Sequence, residues 1–411
     1  MSIEIDRERF IETMKEQADI GATDGGGLHR LALSDEDKAI RDWFRDQLEA
    51  LGLEVRVDAF GNMFARREGT DPDADPILIG SHLDSQPYGG IYDGALGVIA
   101  PLELLRTLEE EGRVTEHPIE IVNWTNEEGS RFQPAMQGSG VWAGVHDIDA
   151  EYDRTDENGE RLGDELERIG YRGDIPVEPQ NDYEAYLELH IEQGPYLELE
   201  EKDVGVVTGV VGFYWGAITF YGEADHSGPT PMHYRNDALV AAADVITQVR
   251  RIPGTLGDRT VGTVGYVDAQ PNSINIIPEE VTITFGFRDP SDEIVAEAKE
   301  RVLAEAQTAA QREGLDWEWE QRHQSDSVEF ADTCIDAVQA SADDLGYDSM
   351  RIFSGAGHDA VHLTDICDTS MVFAVSEDGK SHNEDEYTSW DDCYSAANTI
   401  ANAAYRLATD E

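Results

Sequence analysis

The chain carries the apolar run Ile119-Glu-Ile-Val-Asn-Trp-Thr125, and the paired glutamates Glu127 and Glu128 follow it after one residue. A short apolar run of this kind is typical of a buried β-strand. Because consecutive side chains at the end of a strand point in different directions, the two glutamates can serve different purposes. One carboxylate can bind a metal ion while the other accepts and releases protons.

A second apolar run has the same arrangement, since Pro76-Ile-Leu-Ile-Gly80 leads directly into Ser81-His82-Leu83-Asp84. Asp93 follows eleven residues after His82, between a Gly-Gly turn and a predicted helix. Taken alone, the first segment could be a hydrogen-bonded loop, and Asp93 could simply mark the entry to the helix. Taken with the glutamate pair, these side chains offer the imidazole and carboxylate ligands of a zinc-type ion. Asp84 is placed to accept the second ring N–H of His82, which would fix the orientation of a metal-binding histidine.

Two further histidines follow predicted strands. His190 ends the sequence Leu187-Glu-Leu-His190, and His382 comes after a predicted strand at Ser370–Val375. Ligand crevices in open α/β sheets lie at the carboxyl ends of the strands. We therefore expect both histidines to join the carboxylates. With one glutamate of the pair, five candidate ligands then come from four strand ends, which favours a metal site over five unrelated roles.

The order of the predicted elements indicates an α/β domain. Apolar strands alternate with helices between residues 76 and 199, and the pattern returns after about residue 328. Such alternation predicts a mixed, mostly parallel sheet flanked by helices. The predicted strands are Pro76–Gly80, Ile119–Thr125, Ala185–Ile191 and Ser370–Val375, and the predicted helices are Asp6–Ala18, Ser34–Leu51, Leu96–Glu110, Cys334–Leu345 and Asp391–Thr409.

The intervening segment follows a different pattern, with the order strand, helix, strand, strand, helix, strand. These elements are predicted at Gly216–Gly222, Asn236–Arg251, Thr260–Asp268, Val281–Arg288, Ser291–Arg312 and Leu315–Gln321. The order resembles a ferredoxin-like α+β sandwich. We therefore expect a discontinuous metal-binding domain, residues 1–209 and 327–411, into which residues 210–326 are inserted as a separate domain.

The charge balance is extreme, because 86 acidic residues stand against 30 basic ones and the net charge is −56. Such self-repulsion destabilises a compact protein in dilute salt, whereas molar salt shortens the screening length to about 3 Å. The composition therefore indicates adaptation to a salt-rich cytoplasm, as in halophilic archaea. It also argues against nucleic-acid binding, which requires the opposite charge.

The expected cellular location follows from the lack of membrane-span, signal-peptide and paired-cysteine patterns in the sequence. No apolar stretch reaches the length of a membrane span, and the N-terminus lacks the basic start and apolar centre of a signal peptide. The three cysteines Cys334, Cys367 and Cys393 are widely spaced and odd in number, so that neither a disulfide framework nor a thiolate metal site is expected. We expect a cytoplasmic protein that binds no membrane.

Several segments together carry a family resemblance: Gly80-Ser-His82-Leu-Asp84-Ser85, Gly90-Ile-Tyr-Asp93-Gly94, Thr125-Asn-Glu127-Glu128-Gly129-Ser-Arg-Phe132, Glu188-Leu-His190-Ile-Glu192-Gln193-Gly194-Pro195 and Ser381-His382-Asn383. They resemble the hydantoinase/carbamoylase family of dinuclear-zinc amidohydrolases, over nearly the whole chain. That family includes N-carbamoyl-L-amino acid hydrolases, β-ureidopropionases and allantoate amidohydrolases, and is related to carboxypeptidase- and aminoacylase-like metallohydrolases. The Glu-Gln-Gly-Pro that follows His190 resembles the carbamoylase branch.

The resemblance implies two divalent ions per subunit, with zinc expected first and manganese, cobalt or nickel as alternatives. The implied ligand sets share one aspartate, namely His82, Asp93 and His190 for one ion and Asp93, Glu128 and His382 for the other. Glu127 would be the general acid/base that takes a proton from the attacking water and passes it to the leaving amine. The implied reaction converts an N-carbamoyl-L-amino acid and water into an amino acid, carbon dioxide and ammonia.

The resemblance also implies residues that bind the substrate. Arg288 would clamp a carboxylate together with Asn275 and Gln193, because a guanidinium fork suits bidentate binding. His226 would stabilise the developing oxyanion. Relatives supply this histidine across a dimer interface, which implies a homodimer formed through the inserted lid and dimerisation domain. Another substrate-facing loop would contain Gly355, Ala356 and His358.

The residues leave the substrate open. Allantoate, N-carbamoyl-α-amino acids and N-carbamoyl-β-alanine all offer a carboxylate to Arg288 and a ureido carbonyl to the metal site. An allantoate amidohydrolase is therefore one alternative, and an aminoacylase or dipeptidase of the wider group is another. A binding protein that has lost catalysis is disfavoured, because candidates for all five ligands and the base are present.

Overall fold

The computed structural model describes residues 2–409, which form two compact units. The first unit is discontinuous and contains the described residues up to Thr208 and from Glu329 onward. The second unit is Gly209–Val328. The chain therefore leaves the first unit once, builds the second unit, and returns.

Several helices begin at a side chain that caps their first turn. Ser34 accepts a hydrogen bond from the N–H of Asp37, and Asp237 accepts from the N–H groups of Leu239 and Val240. The α-helices, in chain order, are α1 (Arg7–Ala18), α2 (Asp35–Ala50), α3 (Ala95–Glu110), α4 (Gln137–Trp142), α5 (Ile148–Tyr152), α6 (Leu162–Ile169), α7 (Tyr196–Leu199), α8 (Ala238–Arg251), α9 (Asp292–Glu313), α10 (Asp332–Leu345), α11 (Ala360–Leu363) and α12 (Trp390–Leu407).

The strands of the larger sheet are β1 (Val55–Val57), β2 (Met63–Arg67), β3 (Ile77–His82), β4 (Ile119–Trp124), β5 (Ala185–Ile191), β6 (Val204–Val210), β12 (Val328–Glu329), β13 (Ser349–Ser354) and β14 (Asp368–Ala374). Their order is β1-β2-β4-β3-β5-β14-β6-β12, and β13 also pairs with β6. The β4/β3, β3/β5 and β5/β14 pairs are parallel, whereas β1/β2, β2/β4 and β14/β6 are antiparallel. The predicted α/β class with a mostly parallel sheet is confirmed.

Strand direction decides where functional side chains can meet. The central strands β3, β4 and β5 are buried along their whole length, as expected for parallel strands covered by helices on both faces. Because β4, β3, β5 and β14 run in the same direction, their carboxyl ends lie along one edge of the sheet. Helix α3 packs against β3 and β5 and is almost entirely buried.

The second unit has its own sheet and its own core. Its strands are β7 (Gly212–Tyr221), β8 (Val261–Thr263), β9 (Val267–Gln270), β10 (Glu280–Asp289) and β11 (Asp316–Ser325). The order is β11-β7-β10-β8, with β9 also beside β10, and the pairs are antiparallel. Helices α8 and α9 pack on one face over a core that includes Ile218, Phe220, Ile283 and Phe285. This is the ferredoxin-like arrangement that the element order predicts.

One predicted strand of the second unit is wrong in detail. The structure divides Thr260–Asp268 into β8 and β9, which pair with two different parts of β10. Gly265 lies between them, and a glycine weakens a strand because it has no side chain to pack.

No helix within residues 2–409 is long and apolar enough to cross a lipid bilayer.

Candidate metal centre and active site

The predicted metal ligands meet at one edge of the larger sheet. His82 is the last residue of β3, and His190 is the penultimate residue of β5. Glu128 follows β4 in a loop, and His382 follows β14 in a longer one. Since β4, β3, β5 and β14 are neighbours in that order, four consecutive carboxyl ends deliver these side chains to the same place.

A first candidate ligand set consists of His82, Asp93 and His190, all buried, which could hold a metal ion. The Nε2 atoms of His82 and His190 lie 3.4 Å and 3.0 Å from Oδ1 of Asp93. The ligand atoms of the set all lie within 4.8 Å of one another, which is close enough for a single ion to replace the direct contacts.

A second candidate ligand set consists of Asp93, Glu128 and His382. Nε2 of His382 lies 3.5 Å from Oδ2 of Asp93 and 3.6 Å from Oε2 of Glu128. Asp93 therefore turns one carboxylate oxygen toward each set. This is the geometry of a carboxylate that bridges two ions.

The electrostatics of the site fit divalent cations. Burial lowers the pKa of the His82 imidazole, but nearby carboxylates, Glu127 first among them, raise it overall. Burial acts in the same way on the His190 imidazole, and there the charge of Asp93 leads the effects that raise the pKa. Burial and the charge of Asp93 hold the pKa of Glu128 well above its usual range. Within residues 2–409, the buried Nε2 of His82 has no hydrogen-bond partner. Apart from the exposed His382, the cluster is buried, and it carries excess negative charge. Its nitrogen and oxygen donors are those that zinc-type ions prefer.

Glu127 lies beside the ligand sets without belonging to either. Its Oε2 is 3.5 Å from Nε2 of His82, and the residue is 8% exposed. Burial, followed by the nearby carboxylates of Asp359 and Glu128, raises its pKa well above the usual value. A carboxyl group in such surroundings can hold a proton and release it, which is what a general acid/base must do.

Asp84 contacts His82 through its backbone carbonyl and not, as the sequence predicts, through its carboxylate. Nδ1 of His82 is bonded to the backbone carbonyl of Asp84 at 2.9 Å, whereas the nearer carboxylate oxygen is 3.8 Å away. The carboxylate instead accepts the backbone N–H groups of Glu127 and Glu128 at 3.2 Å and 3.3 Å. Asp84 therefore orients His82 through its main chain and the glutamate pair through its side chain.

Gly94 allows the ring of His82 to approach the start of α3. Its φ is +63°, and a Cβ atom there would lie 2.3 Å from Cε1 of His82. Any other residue at this position would push the histidine away from Asp93.

Sequence reasoning did not find two side chains that hold the ligands in place. Gln86 donates from its backbone and side-chain nitrogens to the two oxygens of Glu128, at 3.0 Å and 2.7 Å. The buried carboxylate of Glu386 accepts the N–H of His382 at 3.3 Å and the hydroxyl of Ser381 at 2.9 Å. The contact of Gln86 joins residues 42 positions apart, which no local motif marks. The bonds of Glu386 lie within one irregular loop, which has no recognisable sequence pattern.

Of the substrate residues expected in the first unit, Gln193 lies at the centre itself. Its side-chain amide donates to Oδ2 of Asp93 at 2.8 Å and to the hydroxyl of Ser381 at 3.1 Å. His358 is buried, with its ring centroid 4.4 Å from that of His190. The loop with Gly355 and Ala356 precedes it, and the hydroxyl of Ser354 is bonded both to the N–H of Ala356 and to the ring of His358.

The other expected substrate residues lie in the second unit. His226 and Asn275 are exposed and belong to neighbouring loops, which are joined by a bond from the N–H of Ser227 to the carbonyl of Asn275 at 2.9 Å. Arg288 lies on β10, with its guanidinium 5.5 Å from the ring centroid of Phe213. Burial lowers the pKa of this guanidinium.

Comparison with known proteins gives the family. The sequence profile of Peptidase family M20/M25/M40 matches residues 78–406. The chain belongs to this family. M20/M25/M40 proteins are metal-dependent hydrolases, and the two ligand sets of this member lie within the matched region.

Relatives of this M20/M25/M40 member agree with the expected resemblance, which is confirmed. An N-carbamoyl-L-amino-acid amidohydrolase from Rhizobium meliloti is 41% identical over 404 residues, which cover 98% of this chain and 97% of that protein. An amidase of the hydantoinase/carbamoylase family from Burkholderia multivorans superposes with a TM-score of 0.95 at 45% identity, covering 99% and 98% of the two chains. An allantoate amidohydrolase from Bacillus subtilis is 31% identical over 392 residues, 95% of each chain.

Proposed function

We propose that the protein hydrolyses N-carbamoyl-L-amino acids to the amino acid, carbon dioxide and ammonia. One observation carries the proposal: Asp93 turns its two carboxylate oxygens toward two different histidine-containing ligand sets. The buried carboxyl group of Glu127 lies next to them. The substrate class is supported by the name of the relative from Rhizobium meliloti, which matches this chain along nearly its whole length.

The metal ligands would divide as their geometry suggests. His82, Asp93 and His190 would hold one divalent ion, and Asp93, Glu128 and His382 would hold the other. When bound, such ions lower the pKa of a water molecule and polarise the carbonyl that it attacks. We expect zinc first, because the donors are imidazole nitrogens and carboxylate oxygens, with manganese, cobalt and nickel as alternatives.

Glu127 would move the proton. The Glu127 carboxylate would accept a proton from a water molecule while the oxygen of that water forms a bond to the ureido carbon. It would then donate this proton to the nitrogen of the amino acid as the C–N bond breaks. The carbamate that is released decomposes to carbon dioxide and ammonia. Asp84 holds the Glu127 backbone in place during both transfers.

The remaining predicted residues would bind the substrate. Arg288 and Asn275 would take its carboxylate, and Gln193, which lies against Asp93, would contact the same end of the molecule. His226 would stabilise the oxyanion. Gly355 and Ala356 would line the site. The buried position of His358 against His190 favours a supporting role there for the metal ligand.

We further propose that the second unit acts as a lid and dimerisation domain of a homodimer. The net charge of −56 supports a protein that works in a salt-rich cytoplasm and that binds neither nucleic acid nor membrane. An anionic substrate would be repelled by this charge at long range, and high salt reduces that repulsion.

A second candidate function is the hydrolysis of allantoate, which the relative from Bacillus subtilis supports. Allantoate also offers a carboxylate and a ureido carbonyl, so the ligand sets alone do not separate the two. A third candidate function is that of an aminoacylase or dipeptidase. These enzymes cleave an amide instead of a ureido group.

Ammonia release tests the proposal. The protein is stripped of metal, reconstituted with each of the four ions in molar KCl, and assayed with N-carbamoyl-L-amino acids, N-carbamoyl-β-alanine, allantoate and N-acetyl-L-amino acids. We expect ammonia and free amino acid in equal amounts from the N-carbamoyl-L-amino acids. Faster turnover of allantoate would favour the second function, and cleavage of only the N-acetyl compounds would overturn the ureido assignment.

A further inference from the structure

The open face of the sheet in the second unit carries a pocket of about 460 Å³. Ile283, Phe285 and Phe287 of β10 face the helices, so that the alternate residues of this strand, including Gly286 and Arg288, face away from them. The pocket is lined on this open face by Trp215, Val261, Thr263, Gly286, Arg288 and Arg322, among others.

Trp215 forms a wall of this pocket. It is opposite Gly286 in the β7/β10 register, and a Cβ atom on Gly286 would lie 2.8 Å from Cδ1 of the indole. The indole of Trp215 therefore packs directly against the backbone of Gly286, which has no side chain to prevent this contact. It nevertheless remains 49% exposed, which leaves an aromatic surface open to the pocket. Large aromatic surfaces of this kind are the usual anchors for apolar groups.

The charge of the pocket is opposite to that of the protein. The chain has 86 acidic and 30 basic residues, but among the described residues that line the pocket there are two arginines and no aspartate or glutamate. Arg322 forms an ion pair with Glu320, and the guanidinium of Arg288 lies over the ring of Phe213. In so acidic a protein, a pocket lined by two arginines and no carboxylate favours an anionic ligand.

We propose that this pocket selects substrates with a large apolar side chain, aromatic ones above all. The carboxylate of the N-carbamoyl-L-amino acid binds Arg288, and its side chain packs on the indole of Trp215 and against Val261. This inference rests on the proposed function and narrows its substrate class. N-carbamoylglycine and N-carbamoyl-β-alanine have no group to cover the indole. Allantoate would place a polar ureido group there.

The test compares kcat/KM for N-carbamoyl-L-phenylalanine and N-carbamoylglycine in the metal-loaded enzyme. We expect the aromatic substrate to be preferred by at least about tenfold, since burial of a phenyl ring contributes that much or more. Trp215→Ala should lower kcat/KM for the aromatic substrate about tenfold and change that for N-carbamoylglycine less than about twofold. Trp215→Phe, which keeps a smaller aromatic surface, should give an intermediate value and guards against a folding defect in the alanine variant.

Trp319→Ala is the matched control. Trp319 is also half-exposed and lies in the same sheet, but its ring faces Lys299 of α9 at 5.2 Å, away from the pocket. This variant should keep the wild-type preference. Equal efficiency on the two substrates, equal effects of Trp215→Ala on both, or a preference for N-carbamoyl-L-aspartate would each overturn the inference.

Product binding separates this inference from the proposed function. Calorimetric titration of the metal-loaded enzyme with L-phenylalanine and with glycine needs no turnover. If the protein hydrolyses no ureido acid but binds L-phenylalanine, and Trp215→Ala weakens this binding, the proposed pocket is supported and the proposed reaction is refuted. Hydrolysis of ureido acids without any dependence on Trp215 would keep the reaction and refute the pocket.

Discussion

The carboxylate of Asp84 accepts the backbone N–H of Glu127 at 3.2 Å. Its other oxygen accepts the N–H of Glu128 at 3.3 Å, so one side chain at the end of β3 fixes two residues that follow β4. Asp84 is 2% exposed, which makes these bonds strong and their loss costly. The positions of both glutamates therefore depend on a third carboxylate.

Asp84→Asn should reduce activity without unfolding the protein. The amide has one acceptor oxygen, so at least one of the two buried N–H groups loses its partner, at a cost of about 1–3 kcal/mol. We expect kcat/KM to fall about 10- to 100-fold, as for other residues that orient metal ligands. Asp147→Asn is the control, because Asp147 also accepts a backbone N–H, at 2.9 Å from Ala150, but only caps α5. Wild-type kcat in Asp84→Asn would contradict the assigned role.

Glu386→Ala should weaken one ion and spare the other. His382 has a φ of +58°, a conformation that is strained for a non-glycine residue, and the carboxylate of Glu386 accepts its N–H. Without that bond, His382 loses its fixed direction toward Asp93 and Glu128. Calorimetric titration with zinc should give one site of unchanged affinity and one weakened about 10- to 100-fold.

The control for this variant is Glu384→Gln. Glu384 lies in the same loop but is exposed and bonds to the hydroxyl of Thr23. It should bind both ions as the wild type does. Equal weakening of both sites in Glu386→Ala would mean that the substitution disturbs the whole centre.

Much of the site follows from the sequence because its ligands directly follow apolar strands. Strands that are buried on both faces appear in the sequence as continuous apolar runs, which can be recognised. Four site residues lie within or just after such runs: His82, Glu127, Glu128 and His190. Strands β1, β2 and β13 are short or mixed in burial and were not predicted. The bonds of Asp84 and Gln86 join segments that are between 42 and 44 residues apart, which no local pattern encodes.

Asp58 should make stability depend on pH. It is fully buried, and burial raises its pKa to about 7, although the N–H groups of Phe60 and Asn62 donate to it and oppose the shift. An unfolded aspartate titrates near pH 4, so the folded protein binds the extra proton between about pH 4 and 7. The resulting stability is fully present below about pH 4 and is lost as pH rises through about 7.

Thermal unfolding of the wild type and Asp58→Asn across this range measures the effect. The amide cannot titrate, so Tm of the wild type should fall relative to that of the variant as pH rises from 4 to 7. A difference in Tm that is constant over this range would show that Asp58 does not titrate there.

Salt should stabilise the folded protein. The net charge of −56 produces self-repulsion, and raising KCl from about 0.1 M to about 1 M shortens the screening length from about 10 Å to about 3 Å. We expect Tm to rise steadily over this range. Sucrose serves as an uncharged control, because it favours burial without screening charge. A Tm that responds equally to sucrose and KCl, or to neither, would contradict an electrostatic origin.

In the proposed mechanism, Glu127 moves the proton while five other residues hold two ions. The most direct measurement is the metal content and ammonia-release rate of a single preparation of Glu127→Gln, beside the wild type. We expect the same two ions per chain as in the wild type and a kcat lowered by about 100- to 10,000-fold. Wild-type turnover in Glu127→Gln, or loss of an ion together with activity, would contradict the proposed mechanism.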